Sequence, residues 1–366
     1  MAGSVFGNQF RIMTFGESHG KGLGVTIDGC PAGLPLCEED IQKFLDRRKP
    51  GQSAFTTARN EADAVEILSG VFEGKTTGTP IALLIRNKDQ HSKDYSNICD
   101  KFRPGHADYG FFKKFGFRDY RGGGRSSGRE TAARVAAGAI AIKILASMGI
   151  FVHAYAKSIG PVHISEVDLD EATKNPLCMP DAKAAKEAQA FLEECIRQQD
   201  SAGGVVECIA TGMPAGVGDP VFSKLDANLA QAIMSIGAVK GFEIGDGFLA
   251  AASTGSKNND AFAVEKGKVT TLTNHAGGIL GGISNGEDII LRAAFKPTPS
   301  ISREQRTVGE DGKEIPITIH GRHDPIIVPR AVVVVEAMTA ITLVDALLSN
   351  MGARLDEVIK FYGREL

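Results

Sequence analysis

GVTIDGCPAGLPL, Gly24–Leu36, reads as a strand that ends in a Pro-Ala-Gly turn and leads into an amphipathic helix. GVVECIATGMPAGVGDP, Gly204–Pro220, reads the same way. The two triplets begin at Pro31 and Pro214, a separation of 183 in a chain of 366 residues. Self-similarity at that spacing predicts two similar halves, about 1–183 and 184–366. A chance match around a common turn triplet is the alternative. No Gly/Ser or Pro-rich linker separates the halves, which favours one cooperative unit.

Around this echo the chain alternates strands and helices. Strand patterns cover Gly24–Asp28, Val65–Phe72, Ile81–Arg86, Val205–Thr211, Ile289–Phe295 and Ile315–Ile319. Helical patterns cover Glu38–Lys49, Arg129–Met148, Ala182–Gln199, Lys224–Ile236 and Glu336–Ser349. The helix at Glu38 has acids in its first turn and Arg47, Arg48 and Lys49 in its last, and Pro50-Gly51 stops it. The helix after Arg129 places Val135, Ala139, Ile142 and Ala146 on one predicted stripe. Glu166–Gln199, rich in Ala, Lys and Glu, reads as a peripheral insertion with a surface helix.

Hydrophobic content of 43% supports a sizeable core, and a formal net charge of −3 excludes a general polyanion binder. Any basic site is therefore a local cluster. Glycine is abundant at 43 residues, which points to tight turns and close backbone approaches rather than disorder. The six cysteines form no C-x-x-C pair and read as reduced and structural. The N-terminus lacks an apolar core of signal-peptide length, and no run of about 18 apolar residues is evident. A cytoplasmic protein with no membrane segment is expected.

Four segments carry chemistry rather than core periodicity. FGESHG (Phe15–Gly20) and RPGHAD (Arg103–Asp108) each place a histidine, His19 and His106, on a glycine turn. Histidine gives and takes protons near neutral pH. DYRGGGRSSGRET (Asp119–Thr131) sets three arginines, two serines and four glycines at the start of a helix, a favourable anion site. The fourth comprises NHAGGILGG (Asn274–Gly282), KPTPS (Lys296–Ser300) and GRHDP (Gly321–Pro325). Its glycines suit a flat ring, Lys296, Thr298 and Ser300 suit a phosphate, and Asp324 suits proton transfer. No zinc spacing, Walker loop, dinucleotide fingerprint or nucleophile elbow is present. The pattern points to histidine acid–base chemistry on an anionic substrate gripped by arginines.

FGESHG, RPGHADY, YRGGGRSSGRETAARVAAGAIA, NHAGGILGG, KPT and GRHDP, in this order and spacing, resemble the motif set of chorismate synthases, from about Gly7 to about Leu348. The resemblance implies an α+β fold, a β-α-β sandwich with an internal repeat in a single domain, assembled as a homotetramer. It implies a carbon–oxygen lyase that removes phosphate from 5-enolpyruvylshikimate 3-phosphate, with reduced FMN as cofactor. That is the last common step toward the aromatic amino acids. It also implies residue roles. His19 protonates the departing phosphate, His106 stabilises reduced flavin, and Asp324 and Ser127 support proton removal. Ser18, His19, Arg48, Arg103, Arg129 and Arg322 bind substrate. Arg125, Ser126, Ser127, Gly237, Ala238, Gly281, Lys296, Pro297, Thr298, Pro299, Ser300 and Arg322 bind FMN.

Departures from the family pattern are Ala54, where many members carry an arginine, and Gly128, where alanine is common. The first weakens any NADPH site, to which Arg48 is the remaining contributor, with Arg59 nearby. The compact length favours the bacterial, monofunctional type served by an external flavin reductase. Two other readings predict different behaviour. An FMN-dependent oxidoreductase on an anionic substrate consumes reductant at every turnover. A non-catalytic RNA or anion binder built on the Arg-Gly loop does not need His19 or His106, and no nucleic-acid partner is expected.

Overall fold

Ile81–Arg86 alternates buried with less buried side chains, the period of a strand with one face on a core. In the computed structural model, which describes residues 3–51, 55–56, 61–88, 98–319 and 324–363, this strand is β7. It joins β1 (Val5–Phe6), β2 (Arg11–Gly16), β3 (Gly22–Asp28) and β4 (Val65–Ile67) in an antiparallel sheet ordered β1-β2-β3-β7-β4. A small hairpin, β5 (Val71–Phe72) and β6 (Lys75–Thr76), follows β4. The second antiparallel sheet contains β8 (Phe151–Ile159), β9 (Val162–His163), β10 (Gly204–Thr211), β11 (Val239–Ile244) and β16 (Ile289–Phe295), ordered β11-β16-β10-β8-β9. Three two-stranded ribbons complete the strands: β12 (Phe262–Glu265) with β13 (Lys268–Thr271), β14 (Ile279–Leu280) with β15 (Ile283–Ser284), and β17 (Gln305–Val308) with β18 (Glu314–Ile317).

Helices α1 (Glu38–Arg48), α3 (Thr131–Ser147), α6 (Leu225–Met234) and α8 (Val328–Asn350) fill the interior between the sheets. The α3 helix lies on β2, β3 and β7, and α8 lies on β8 and β10. They cross closely at Gly138, where a Cβ would stand 2.2 Å from the Cβ of Ala337. Helices α2 (Asp108–Phe115), α4 (Leu169–Lys174), α5 (Ala182–Arg197), α7 (Gly255–Asn258) and α9 (Leu355–Tyr362) lie around this frame. The result is an α+β fold. A buried carboxylate ties its layers together: Glu336 of α8 accepts from both Arg47 Nη atoms of α1 at 2.7 and 2.8 Å and from the Ala154 N–H of β8 at 3.0 Å.

The two Pro-Ala-Gly turns occupy matching places, after the central strands β3 and β10. Gly33 and Gly216 both have left-handed φ, +91° and +95°. Thr76 Oγ1 donates to Pro31 O at 2.6 Å and accepts from the Leu34 N–H. Ser284 Oγ donates to Pro214 O at 2.6 Å and accepts from the Val217 N–H. The second sheet begins at β8, well before residue 184, because α4 and α5 are inserted between β9 and β10.

Several sequence expectations shift. Val65–Phe72 splits into two short strands, and the helix expected from Glu336 begins at Val328, so the apolar run Ala331–Val335 lies inside it. This α8 is long and apolar enough to cross a membrane, but 78% of its most apolar window is buried in the protein, which makes it a core helix. The expected stripe on α3 is not a stripe. Residues 135–141 are buried all round, because the helix is packed on several sides, while Ala146 is exposed. The α5 helix does lie at the periphery, with Ala184, Ala188 and Leu192 on its buried face.

Candidate active site

Two histidines meet one glycine turn. The strand β2 ends at Gly16, and Ser18 and His19 follow it, buried, with Ser18 Oγ 3.2 Å from His19 Nδ1. A Cβ on Gly122 would stand 2.3 Å from His19 Cε1 and 2.9 Å from Ser18 Oγ. A Cβ on the next residue, Gly123, would stand 3.1 Å from His106 Cε1 and 3.2 Å from its Nε2. Both glycines have left-handed φ, +67° and +96°. Only glycine takes up that backbone freely and lets two imidazoles approach so closely.

The arginines are held by buried carboxylates. Asp63 bridges two of them, with Oδ2 2.6 Å from Arg48 Nη2 and Oδ1 2.6 Å from Arg129 Nη1. Burial pushes the Asp63 carboxyl up, but Arg48 and Arg129 outweigh it and hold it below its ordinary value. Asp63 has a left-handed φ of +48°, unusual for a residue with a side chain. Arg48 Nε is buried with no hydrogen-bond partner among the described residues, so it keeps a donor for an incoming anion, whereas Arg129 Nη2 lies 3.6 Å from the Glu61 carboxylate. Arg103 grips Asp108 through Nε and Nη2, both at 2.8 Å.

Of these groups Arg48, Arg103, His106 and Gly122 border a cavity of about 650 Å³. Its walls come from the 103–107 turn, the Gly122–Glu130 segment leading into α3, residues 235–240, the end of β16 with Lys296, Thr298, Pro299 and Ser300, and the start of α8. The N-termini of the two longest interior helices thus face one space, and their dipoles favour anions there. Arg48, Arg103, Arg125, Arg134, Lys240, Lys296 and Arg330 line it, against the carboxylates Glu130 and Asp324. Burial, with Lys240 nearby, lowers the Lys296 ammonium from its ordinary value. Ile236, Val239, Phe295, Ile327 and Val334 supply apolar wall.

Of the expected site residues, His106, Arg48, Arg103, Arg125, Ser126, Ser127, Gly237, Ala238, Lys296, Thr298, Pro299, Ser300 and Asp324 line this cavity. Ser18, His19 and Arg129 are buried just outside the lining, His19 behind Gly122 and Arg129 behind Asp63. The structure does not bring Gly281 to the cavity. It lies in the β14–β15 turn, beside Gly282, which packs on Asp219 and Lys224. Pro297 likewise lies outside the wall, against Gly203. Arg125 is turned to β2, donating to Gly16 O at 3.2 Å and Thr14 Oγ1 at 2.7 Å. Ala54, Arg59, Arg322 and His323 are outside the described residues.

Sequence reasoning missed Asp63, Arg134, Lys240 and Arg330. Arg134 of α3 pairs with Glu130, just before the helix, at 2.8 Å and donates to Ser235 Oγ at 2.6 Å, fixing the 235–238 wall. Its spacing from Glu130 was the available signal. Arg330 bonds Asp324 Oδ2 at 2.6 Å and the Arg48 carbonyl at 3.0 Å. Nothing local marks Lys240, or Asp63, whose partners Arg48 and Arg129 come from two other elements.

The family model described as chorismate synthase matches residues 10–348. A chorismate synthase of Agathobacter rectalis is 65% identical over 99% of both chains, and one of Lachnospira eligens is 66% identical over 99% of this chain and 100% of the relative. A solved structure described as "Crystal Structure of Chorismate Synthase" superposes with a TM-score of 0.78 at 36% identity, covering 97% of this chain and 96% of that one. With the paired histidines and the arginine-lined cavity, these matches establish that the chain belongs to the chorismate synthase family and is a lyase.

Proposed function

We propose that this cavity holds reduced FMN together with 5-enolpyruvylshikimate 3-phosphate, and that the chain's own groups drive the 1,4-elimination of phosphate. The observation that carries the reading is the seven basic side chains around one cavity in a protein of net charge −3. The substrate bears a phosphate and two carboxylates, and FMN adds a further phosphate, so a concentrated positive field is needed.

The residues fit the cofactor. Thr298 Oγ1 is buried in the wall with no hydrogen-bond partner among the described residues, beside Lys296. A phosphate oxygen there would satisfy both. The apolar side chains of the wall suit a flat ring, and Ser126, Ser127, Gly237 and Ala238 line the same cavity. Reduced FMN, when bound, supplies electron density to the allylic system as the carbon–oxygen bond breaks. His19 protonates the phosphate as it leaves, from behind Gly122, which lines the cavity. His106, on the cavity wall, supports the anionic reduced ring. Ser127 Oγ accepts from the Arg129 N–H at 3.3 Å, which leaves its own hydroxyl proton to donate, and Asp324, held by Arg330, accepts a proton.

Ala54, where many family members carry an arginine, weakens a nicotinamide phosphate site, and an external flavin reductase then supplies the reduced cofactor. We also infer that the two halves are copies of one unit. Matched strand orders and the matched Thr76 and Ser284 turn contacts support this. A homotetramer is supported by exposed apolar side chains such as Phe248, Leu249, Phe262 and Val269. We place the enzyme in the cytoplasm, where flavin reductants are available.

FMN titration followed by flavin fluorescence tests the cofactor site. Lys296→Ala should weaken FMN about 10-fold or more, the loss of a charge-assisted contact. Unchanged affinity would place the phosphate elsewhere. NADPH should not be consumed by the chain with FMN alone, and consumption would contradict the external reductase.

A further inference from the structure

A buried carboxylate stands directly behind His106. Asp108 Oδ1, at the first residue of α2, lies 2.7 Å from His106 Nδ1. Arg103 holds the same carboxylate through Nε and Nη2 and through its main-chain N–H at 3.1 Å, and Arg118 Nη1 lies at 3.8 Å. The Asp108 side chain is 4% exposed and that of His106 15%. Burial alone would raise the Asp108 carboxyl, but hydrogen bonds from Arg103 and His106 hold it well below its ordinary value.

An ionised carboxylate only accepts hydrogen bonds. The 2.7 Å approach of this oxygen to Nδ1 is attractive only when that nitrogen carries a proton. Arg103 Nη2 is 3.1 Å from the same nitrogen, but a guanidinium only donates, so it cannot bond Nδ1 while that proton is present. The carboxylate thus opposes a tautomer that Arg103 would otherwise favour. Nε2 lies on the opposite side of the ring, beside Gly123, where the absence of a Cβ leaves that edge accessible. The other charged group nearby is Lys296, whose Nζ donates to Gly105 O.

We propose that Asp108 is a positioning residue for His106. It keeps the proton on Nδ1, so that Nε2 is the atom presented to the cavity for proton exchange. The inference rests on the reading of His106 as an acid–base group. Without the carboxylate, Arg103 donates to Nδ1, the tautomer reverses, and Nε2 carries the fixed proton. An imidazole in the wrong tautomer is correctly placed and chemically unsuited.

A double-mutant cycle tests this, with chorismate formation measured on reduced FMN. Asp108→Asn should lower kcat about 10- to 100-fold with substrate KM changed by less than about threefold. His106→Ala should lower kcat about 100-fold or more. The double variant should match His106→Ala within about twofold, because Asp108 acts only through the ring. A fully additive double variant, or Asp108→Asn with parental kcat, would overturn the inference. Near-normal turnover in His106→Ala would instead sink the role of His106 itself. Because the Asp108→Asn change deprives Arg103 of a counter-ion, a second measurement uses the parent protein labelled with 15N-histidine. The resonances absent from His106→Ala identify the ring, and its nitrogens should show the proton on Nδ1. A bare Nδ1 with protonated Nε2 would overturn the proposal even if the variant does not fold.

Discussion

Two regions of this molecule look alike and behave differently. One is the Gly122–Gly124 turn with His106, whose Nδ1 lies 2.7 Å from Asp108. The other is the Gly277–Gly282 segment with His275, whose Nδ1 lies 2.7 Å from Asp246. Both combine left-handed glycines with a histidine–aspartate pair. Gly122 and Gly123 press on catalytic-type side chains beside a cavity. Gly277 and Gly278 press on backbone, of Gly245 in one case and Asp288 in the other, and His275 is about a third exposed and outside the cavity wall. A dense run of glycines reports close approach, and what is approached decides whether it is a site. Charge makes the same distinction: the first turn opens onto seven basic side chains, whereas His275 faces acids, Asp246 and Asp260.

The largest expected contrast is between the histidines. His106→Ala should slow turnover about 100-fold or more, whereas His275→Ala should leave kcat within about twofold. Equal losses would erase the distinction. Next is a contrast of glycines. Gly122→Ala drives a Cβ into His19 and Ser18 at a left-handed φ, and turnover should fall about 100-fold as the imidazole is displaced. Gly281→Ala meets open space, so kcat should be nearly unchanged, with about 1 kcal/mol lost to its φ of +63°. A large loss of FMN affinity in Gly281→Ala would return that residue to the site.

A smaller effect is expected at Asp63, where the clamp is internal to the protein. Asp63→Asn should raise substrate KM about 10-fold and cost about 3 kcal/mol of stability at pH 7, as a buried pair is broken. The carboxyl is depressed in the folded state, so its contribution is complete above the ordinary aspartate value, about 3.9, and is lost as pH falls through the lower folded value. The stability gap between parent and variant, followed by denaturant unfolding, should be constant near neutrality and narrow below about pH 4. A gap that persists to lower pH would contradict the ion-pair account.

The fold was legible where periodicity is local. Ile81–Arg86 and Ile289–Phe295 were read to the residue, because each presents one face to a core. Arg11–Gly16 and Phe151–Ile159 were missed: polar Arg11 and Thr14 interrupt one, and His153, Lys157 and Ser158 the other. The long interior helices show no amphipathic stripe, since they are covered on several sides. The site was legible wherever short motifs concentrate glycine, histidine and arginine. Its anchoring layer was not, because Asp63 and Arg330 join partners brought together only by the fold. Gly281 shows the converse, a motif residue that the fold places in the β14–β15 turn, away from the lining of the described cavity.

The central claim, that this cavity carries out flavin-dependent elimination without net redox change, is tested most directly by anaerobic turnover. The protein is incubated with 5-enolpyruvylshikimate 3-phosphate and either photoreduced or oxidised FMN, and chorismate is followed by its ultraviolet absorbance. The account predicts chorismate only with reduced FMN, in large excess over flavin, with one phosphate released per chorismate. Product limited to one equivalent per flavin, or formed equally with oxidised FMN, would contradict it.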